Sequence, residues 1–275
     1  MKVYRTPAGI AVNENDRWFR ARDASFDRLF GEREPLAWLR PQLEECARVD
    51  VAGPLPAPLG RQEVWAAGVT FQRSREARME ESGREADVYD RVYGAERPEL
   101  FFKATPHRVV GQGGEVRIRR DSAWNVPEAE LALAVNRSGR IFGYTIGNDM
   151  SSRSIEGENP LYLPQAKIHD ACCALGPGLL LSEQPLAPTT EISLGIDRNG
   201  STVFRGATRL AQMRRSPREL VEWLFRDNSF PDGCYLLTGT GIVPGNDFTL
   251  AVGDEVAITI EPIGTLRNRV IRNPG

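Results

Sequence analysis

Residues 126–149 read VPEAELALAVNRSGRIFGYTIGND, and this stretch decides the fold prediction. Each half is long enough for a strand, and the polar residues between the halves are typical of a turn. We therefore predict an antiparallel hairpin with its loop at residues 137–140. Because side chains alternate between the two faces of a strand, Glu128 and Glu130 share one face with two alanines, and the intervening leucines take the other face.

The register of this hairpin predicts where a third carboxylate lies. With the loop at residues 137–140, Asn136 pairs with Ile141, and Asp149 then lies opposite Glu128 to within one or two positions. Directly opposed residues on antiparallel strands have Cβ atoms about 5 Å apart. The sequence therefore predicts that Asp149 joins the two glutamates.

Three carboxylates so close together repel one another, so the cluster must be solvated, partly protonated or neutralised by a cation. A solvated outer sheet face is the simpler interpretation. The alternative is a metal centre in which Glu128, Glu130 and Asp149 hold a hard cation through oxygen ligands, Mg²⁺ first, with Mn²⁺ or Ca²⁺ as possible substitutes. The chain has only two histidines, too few for a histidine-rich metal site.

The composition excludes several classes of protein. The 275 residues carry 35 Lys and Arg against 37 Asp and Glu, a formal charge of −2, which argues against a generally basic nucleic-acid binder. No stretch approaches the roughly 18 apolar residues of a membrane helix. The four cysteines lack a C-x-x-C spacing, so we expect no zinc site, a reducing compartment and a cytoplasmic protein.

The chain divides into two predicted units. Residues 1–60 end in the proline-rich stretch VAGPLPAPLG and are predicted to form a small N-terminal domain with a linker. Residues 61–275 form the predicted catalytic domain, and Ser216 is predicted to cap its one clear helix. Short apolar runs predict strands at residues 63–69, 100–102, 115–119, 234–237 and 256–260. The predicted fold class is therefore mainly β with some α.

At the hairpin the sequence resembles the fumarylacetoacetate hydrolase family. The stretches VPEAELAL and GYTIGNDMSSR carry its Glu-x-Glu and downstream Asp, and the similarity continues through LFFKATPHRVVG, TGTG and GDEVAITIEPIGTLRN, over roughly residues 63–270. The resemblance implies that Glu128, Glu130 and Asp149 are Mg²⁺ ligands. It also implies a mixed, strongly bent β-roll or sandwich that assembles as a homodimer or homotetramer.

Within that family, residues 64–82 and 151–177 are most similar to the branch of 2-keto-3-deoxy-D-arabinonate dehydratases. The implied reaction is Mg²⁺-dependent loss of water from a small anionic 2-keto-3-deoxy sugar acid, through an enolate, to give 2,5-dioxopentanoate. Family hydrolases place a His–Glu dyad in a lid, and residues 72–98 contain no histidine, which argues against hydrolysis. The alternatives are an acylpyruvate or diketo-acid hydrolase or decarboxylase and, less favoured, a non-catalytic keto-acid-binding protein.

Two further side chains are predicted to take part in catalysis. The resemblance implies that Lys167 binds the substrate carboxylate or stabilises enolate charge, although an isolated lysine is usually solvated. Glu156 and Glu158 lie in the stretch SIEGENP, which we interpret as a loop in which a carboxylate could move the proton. Of the two, Glu156 is the predicted catalytic group.

Substrate binding is predicted at two other places. Ser74 and Arg73, together with Arg75, follow the first predicted strand of the catalytic domain, where they could hold a carboxylate or hydroxyls. A helix N-cap with solvated arginines is an equal alternative there, and the charged segment 72–94 predicts helices that could form a lid. Thr240 lies in a glycine-bracketed loop that either binds an anionic carboxylate through backbone N–H groups or is simply a turn.

Overall fold

Sixteen strands form two β-sheets in the part of the chain that this computed structural model describes, residues 1–73 and 91–272. The strands are β1 (Lys2–Thr6), β2 (Gly9–Glu14), β3 (Arg17–Ala21), β4 (Leu43–Cys46), β5 (Glu63–Gly68), β6 (Glu99–Ala104), β7 (Val109–Val110), β8 (Glu115–Ile118), β9 (Asn125–Val135), β10 (Ile141–Ser152), β11 (Cys173–Leu181), β12 (Glu191–Arg198), β13 (Ser201–Arg209), β14 (Cys234–Leu237), β15 (Glu255–Ile260) and β16 (Gly264–Arg272). The mainly β prediction is confirmed, and each strand predicted outside the hairpin is present to within two residues.

The helices of the described residues are short. Those with both ends described are α1 (Phe26–Gly31), α2 (Pro35–Leu39), α3 (Arg153–Glu158), α4 (Leu163–Lys167) and α5 (Pro217–Leu224), with 3₁₀ turns at Arg40–Gln42, Pro106–Arg108, Pro160–Tyr162 and Leu210–Gln212. The predicted cap of α5 is confirmed, because the Ser216 hydroxyl accepts a hydrogen bond from the Glu219 backbone N–H at 3.1 Å. None of the helices described here has the length and apolar content that a membrane crossing requires.

Both sheets are mixed, as expected. The larger has the strand order β4-β3-β2-β1-β11-β10-β9-β14-β5-β6, with β7 beside β11, and the smaller has the order β13-β12-β15-β16-β8. Most neighbours are antiparallel, but β14 pairs with β5, and β16 with β8, in parallel. This order places the β9–β10 hairpin at the centre of the larger sheet.

The hairpin register confirms one predicted pair and corrects the other. Asp149 lies opposite Glu128, as predicted. The prediction that Asn136 pairs with Ile141 is wrong, because Ile141 lies opposite Val135. A bulge just after Ile141 adds one residue to β10, and this extra residue restores the predicted register for the rest of the hairpin.

Asn136 belongs to the turn rather than to the ladder. Its side-chain oxygen accepts hydrogen bonds from the backbone N–H groups of Ser138 and Arg140, each at 3.0 Å. A side chain that caps its own loop in this way competes with strand pairing. The loop is therefore one residue longer than the sequence pattern predicts.

The two faces of the hairpin enter two different hydrophobic cores. Leu131 and Leu133 pack between the two sheets, together with Leu220 of α5. Ala132 and Ala134 face the opposite core, which the helices of the N-terminal segment cover. The alternation predicted for β9 is confirmed, and its small alanines leave room for aromatic side chains from α1, β10 and β14 in this second core.

The N-terminal segment is continuous with the larger sheet. Strand β1 pairs with β11, Lys2 opposite Leu180, and β2, β3 and β4 extend the sheet outward from it. The Tyr235 hydroxyl of β14 donates to the backbone carbonyl of Pro58 at 2.5 Å, which ties the proline-rich segment to the same sheet. The division into units 1–60 and 61–275 stays a prediction, and the two units share one sheet and one core.

Candidate active site

Three buried carboxylates meet where β9 and β10 run side by side. Glu128 is 6% exposed, Glu130 1% and Asp149 0%. Each offers one oxygen within 4.8 Å of the others, a spacing that a single metal ion could bridge. A solvated outer sheet face, the simpler interpretation of the sequence, is therefore wrong for this cluster. The next strands of the sheet and the helices after β10 bury it.

Positive charges from three different elements surround the carboxylates. Lys103 Nζ of β6 lies 2.5 Å from Asp149 Oδ1. Lys167 Nζ, at the end of α4, lies 3.0 Å from Glu128 Oε2 and 3.1 Å from Asp149 Oδ2. A guanidinium nitrogen of Arg153, at the start of α3, lies 2.9 Å from Glu128 Oε1. Buried charges are tolerated when they are paired in this way.

Lys103 also joins the carboxylate cluster to the backbone around it. Its ammonium donates to the carbonyl of Met150 at 3.0 Å and, more closely, to the carbonyl of Lys167. Lys103 thereby connects β10 to the end of α4. The Lys103 side chain is fully buried, so its ammonium has no access to solvent.

The protonation of the cluster follows from burial and from these neighbours. Burial, with the charges of Asp149 and Glu128, raises the pKa of Glu130 well above its usual value. Burial alone would also raise the pKa of Asp149, but Lys103 and Lys167 outweigh it and lower that pKa. Burial disfavours the charged form of Lys103, yet Asp149 raises the pKa of Lys103 above its usual value. Asp149 and Lys103 are thus held as a charged pair.

The donor set fits a hard divalent cation. Glu128, Glu130 and Asp149 offer oxygen ligands only, which is the preference of Mg²⁺. Burial and the two neighbouring carboxylates raise the pKa of Glu130, so its charged form is disfavoured without further positive charge. A bound cation would supply that charge.

A small pocket opens beside the carboxylates. Polar residues from five elements or loops line it, namely Glu99, Glu128, Arg153, Glu156, Lys167 and Thr240, together with Phe101 and residues 67–69 and 239. Glu99 approaches the backbone of Gly68 so closely that a Cβ on Gly68 would lie 2.0 Å from Glu99 Oε2. Because Gly68 has no side chain, the Glu99 carboxylate can occupy this position in the pocket.

The loop around Thr240 contacts the carboxylates through a different residue from the one predicted. The Gly239 backbone N–H donates to Glu130 Oε2 at 2.5 Å, so this N–H is engaged by the protein's own carboxylate. Thr240 lines the pocket, and its hydroxyl accepts a hydrogen bond from the backbone N–H of Ile242 at 3.1 Å. Thr240 therefore lines the pocket, whereas the backbone N–H of Gly239 is hydrogen-bonded to Glu130, a predicted metal ligand.

Glu156 is in the pocket, but it does not lie in a loop. Residues 153–158 form helix α3, in which Glu156 is buried 3.5 Å from the Arg153 guanidinium one turn earlier. The loop interpretation of SIEGENP is therefore wrong for this part, because the ion pair and the buried face stabilise a helical turn despite Gly157. Glu158 is exposed at the end of the same helix.

The other predicted substrate-binding group is not brought to this pocket in the part of the chain that is described. Arg73 is exposed and lines a neighbouring depression with Tyr93, Gln212 and Arg214. It follows β5 as predicted, but it does not line the pocket beside the carboxylates. Ser74, Arg75 and most of the predicted lid lie outside the described residues.

Sequence reasoning missed three side chains of the site. Lys103 stands in the apolar run LFFKA, and a charge inside a strand of that kind signals a buried partner. Arg153 directly follows the long strand that carries Asp149, but nothing local distinguishes it from a solvated arginine. Glu99 begins β6 and reaches the site only because β6 is paired with β5, opposite Gly68.

Residues 69–271 match the family described as fumarylacetoacetate (FAA) hydrolase, C-terminal, and the chain belongs to this family. It is 52% identical over 214 residues, 78% of this chain and 73% of the relative, to the probable 2-keto-3-deoxyxylonate dehydratase of Haloferax volcanii. It is 46% identical over 213 residues, 76% of this chain and 72% of the relative, to the 2-dehydro-3-deoxy-D-arabinonate dehydratase of Saccharolobus solfataricus.

A solved structure is similar over the whole length of both chains. It is a 2-keto-3-deoxy-D-arabinonate dehydratase complexed with magnesium and 2,5-dioxopentanoate, 35% identical to this chain, with a TM-score of 0.87 and full coverage of each chain. The family and the branch that the sequence motifs indicated are confirmed by these matches.

Proposed function

We propose that this protein is a Mg²⁺-dependent dehydratase of a 2-keto-3-deoxy sugar acid. It converts 2-dehydro-3-deoxy-D-arabinonate into 2,5-dioxopentanoate and water. The observation that carries the proposal is the buried triad of Glu128, Glu130 and Asp149, which lies beside Lys167 at a pocket. The relatives from Haloferax volcanii and Saccharolobus solfataricus bear dehydratase names. The hydrolase and decarboxylase alternatives have no comparable support.

The triad would hold Mg²⁺ through one or more oxygens of Glu128, Glu130 and Asp149. When bound, Mg²⁺ acts as a Lewis acid at the substrate carbonyl and makes the neighbouring C3 protons more acidic. The protein's own part is to hold the three carboxylates together against their repulsion, which it does with the ammonium groups of Lys103 and Lys167 and with Arg153.

Lys167 is the proposed binding group for the anionic substrate. Its ammonium already contacts two of the three triad carboxylates and also lines the pocket, so it stands next to any oxygen that enters beside them. A fixed positive charge there stabilises negative charge that develops on the keto oxygen when C3 loses a proton. Thr240 borders the same pocket and is proposed to contact the substrate. Ser74 and Arg73 stay proposals as substrate-binding groups, with the support of the sequence alone.

Proton transfer has two candidates, Glu156 and Glu99. Both line the pocket, and neither belongs to the triad. Glu156 is buried against Arg153, whereas Glu99 is only half-buried and its carboxylate lies over Gly68. Removal of a C3 proton and loss of the C4 hydroxyl need a carboxylate that can approach the substrate, and we favour Glu99 over the predicted Glu156 for that reason.

The test is to incubate the protein with 2-keto-3-deoxy-D-arabinonate and Mg²⁺ and to follow 2,5-dioxopentanoate by mass spectrometry. We expect product to form with Mg²⁺ and to disappear when the metal is removed by a chelator. Glu130→Gln should lose Mg²⁺ binding and activity while its circular dichroism spectrum is unchanged. Turnover of acetylpyruvate in place of the sugar acid would assign the protein to the hydrolase alternative.

We also infer a reducing, cytoplasmic environment and a homodimer or homotetramer. All four cysteines are free thiols, and three of them are buried, as is usual where disulfides do not form. The assembly is inferred from the family resemblance. Size-exclusion chromatography with light scattering should give the mass of two or four chains, and a mass of one chain would contradict the inference.

A further inference from the structure

Val69 has a backbone conformation that branched residues rarely adopt. It directly follows β5, it is buried, and its φ is +50°, in the left-handed region. A side chain branched at Cβ is strongly disfavoured there, whereas glycine takes this conformation at little cost. Val69 therefore carries strain that a glycine would avoid, and strain of this kind is concentrated at functional sites.

Contacts on both sides of Val69 hold its backbone in place. Gly68, before it, is paired with Glu99 of β6. Thr70, after it, is fully buried, and its hydroxyl donates to the Thr238 carbonyl at 2.6 Å. The backbone of Val69 cannot relax without disturbing these contacts, so the surrounding fold maintains the strain.

The bend at residues 68–70 packs against the loop that holds Glu130. A Cβ on Gly239 would lie 2.1 Å from Thr70 Oγ1 and 3.0 Å from the Ala67 carbonyl oxygen. The N–H of the same glycine donates to Glu130 Oε2. The strained bend is therefore part of the pocket and lies next to the loop that contacts the triad.

Val69 gives an apolar surface to a pocket that five charged residues line. Among the described residues of the pocket, Val69 and Phe101 alone have an apolar side chain larger than a methyl group. Lys167 Nζ lies over the Phe101 ring, 5.6 Å from its centroid. The Glu99 carboxylate lies over Gly68, the residue next to Val69. Phe101 thus contacts the proposed substrate-binding lysine, and Val69 lies beside the proposed proton-transfer group.

The carbon on which Glu99 is proposed to act is the one that distinguishes this class of substrate. In a 2-keto-3-deoxy acid C3 is a methylene group, and in the parent sugar acid it carries a hydroxyl. If one C3 hydrogen faces Glu99, the other faces the remaining wall of the pocket. An apolar side chain in that wall suits a hydrogen, but it leaves a hydroxyl buried without a hydrogen-bond partner.

We propose that Val69 is a specificity-determining residue that selects acids with a methylene group at C3. Its side chain covers the C3 hydrogen that Glu99 does not remove. The proposal rests on the proposed function, with Glu99 as the proton-transfer group. It also accounts for the strain, because a glycine would relieve it but would leave this side of C3 open to water.

The test compares 2-keto-3-deoxy-D-arabinonate with 2-keto-D-arabinonate, which has a hydroxyl at C3. The measured quantity is the ratio of the inhibition constant of the hydroxy acid, as a competitive inhibitor, to the KM of the deoxy acid at saturating Mg²⁺. An apolar contact rejects an added hydroxyl by up to about a hundredfold, so we expect a wild-type ratio of roughly ten to a hundred. Val69→Thr keeps the shape and the strain but offers the hydroxyl a partner, and it should lower the ratio about tenfold.

Two further variants complete the comparison. Val69→Gly takes the left-handed conformation without strain, and it should also lower the ratio because water reaches C3. Val110→Thr is the matched control, since it makes the same substitution at a half-buried valine that does not line the pocket, and it should keep the wild-type ratio. A general loss of affinity changes both constants together and leaves the ratio unchanged.

A wild-type ratio near one would overturn the proposal, and so would an unchanged ratio in both Val69→Thr and Val69→Gly. An equal fall of the ratio in Val110→Thr would also contradict it, because the effect would then not belong to the pocket. If Val69→Thr does not fold, the result for Val69→Gly decides. A wild-type chain that does not convert the deoxy acid refutes the proposed function instead, which distinguishes the two failures.

Discussion

Asp149 shows how single residues are shared between competing charges at this site. Its two oxygens contact two different lysines, Lys103, which is fully buried, and Lys167, which lines the pocket. A carboxylate between two ammonium groups stays charged although it is fully buried. The residue can thus serve a metal centre and still be stable within the fold before a metal binds.

Single substitutions can distinguish the two candidates for proton transfer. Glu99→Gln should lower kcat by about a hundredfold or more, the range expected for loss of a general base, and should leave Mg²⁺ binding unchanged. Glu156→Gln is the matched variant, and we expect a smaller loss of kcat from it. Steady-state kinetics together with calorimetry give both quantities, and a larger loss for Glu156→Gln would return the role to the residue predicted from the sequence.

His169 makes stability depend on pH. Burial, together with the charge of Lys103, lowers its pKa from 6.5 to about 4 in the folded protein. Between these pH values the unfolded chain binds the proton and the folded chain does not, so stability falls as the pH drops from 6.5 towards 4. His169→Gln should therefore lose less stability than wild type when urea unfolding is compared at pH 7 and near pH 4.5. Equal losses in the two proteins would contradict this assignment.

At the scale of elements, the bulge in β10 is decisive for the site. Without its extra residue the turn capped by Asn136 would shift the whole strand by one position, and Asp149 would point into the core between the sheets. The bulge corrects the register near the turn, at Ile141, and the carboxylates lie at the far end of the hairpin. A local irregularity therefore decides which face Asp149 joins.

Helix α5 offers a test of one element apart from the site. The Ser216 hydroxyl caps the helix, and the buried face of α5 packs between the sheets. Ser216→Ala should lower the free energy of unfolding by about 1 kcal/mol, because one N-terminal N–H loses its acceptor. Ser216→Asp retains an acceptor and should keep most of the stability. Chemical denaturation measures both variants, and wild-type stability for Ser216→Ala would show that the cap contributes nothing.

At the scale of the whole molecule, the N-terminal segment completes the larger sheet. Phe30 of α1 packs edge-on against Phe142 of β10, with ring centroids 4.8 Å apart, and also contacts Tyr235 of β14. Gln62 reaches back to Asp27 at 3.0 Å. The second core is thus built from both predicted units, and it lies on the face of β9 from which Glu128 and Glu130 project.

Removal of residues 1–60 tests this dependence. The fragment 61–275 would expose the edge of β11 and one face of β9, β10 and β14, an apolar area that favours aggregation. We expect the fragment to lack a cooperative thermal transition, measured by circular dichroism, and to bind no Mg²⁺. A fragment that melts cooperatively and binds Mg²⁺ would show instead that residues 61–275 form an independent catalytic domain.

The sequence alone was sufficient for much of the fold and for the triad. A period of two along β9 places Glu128 and Glu130 on one face, and this follows from local backbone geometry that needs no distant partner. The opposition of Asp149 and Glu128 was predicted correctly, although the longer loop and the bulge that compensates for it were not. The metal ligands lie close together in the chain, so the short family motifs that contain them could be recognised in the sequence. Those motifs then indicated the chemistry.

Only the tertiary structure decided what surrounds those ligands. Lys103 and Glu99 lie on β6, which reaches the site through its pairing with β5 and, beyond that, β14, so their places depend on strand order and not on neighbours in the chain. Burial likewise comes from neighbouring strands and from helices α3 and α4, and the lysines and the arginine that they carry compensate the repelling carboxylates. Local periodicity determined which residues could bind a metal, whereas long-range pairing determined which charges hold them in place.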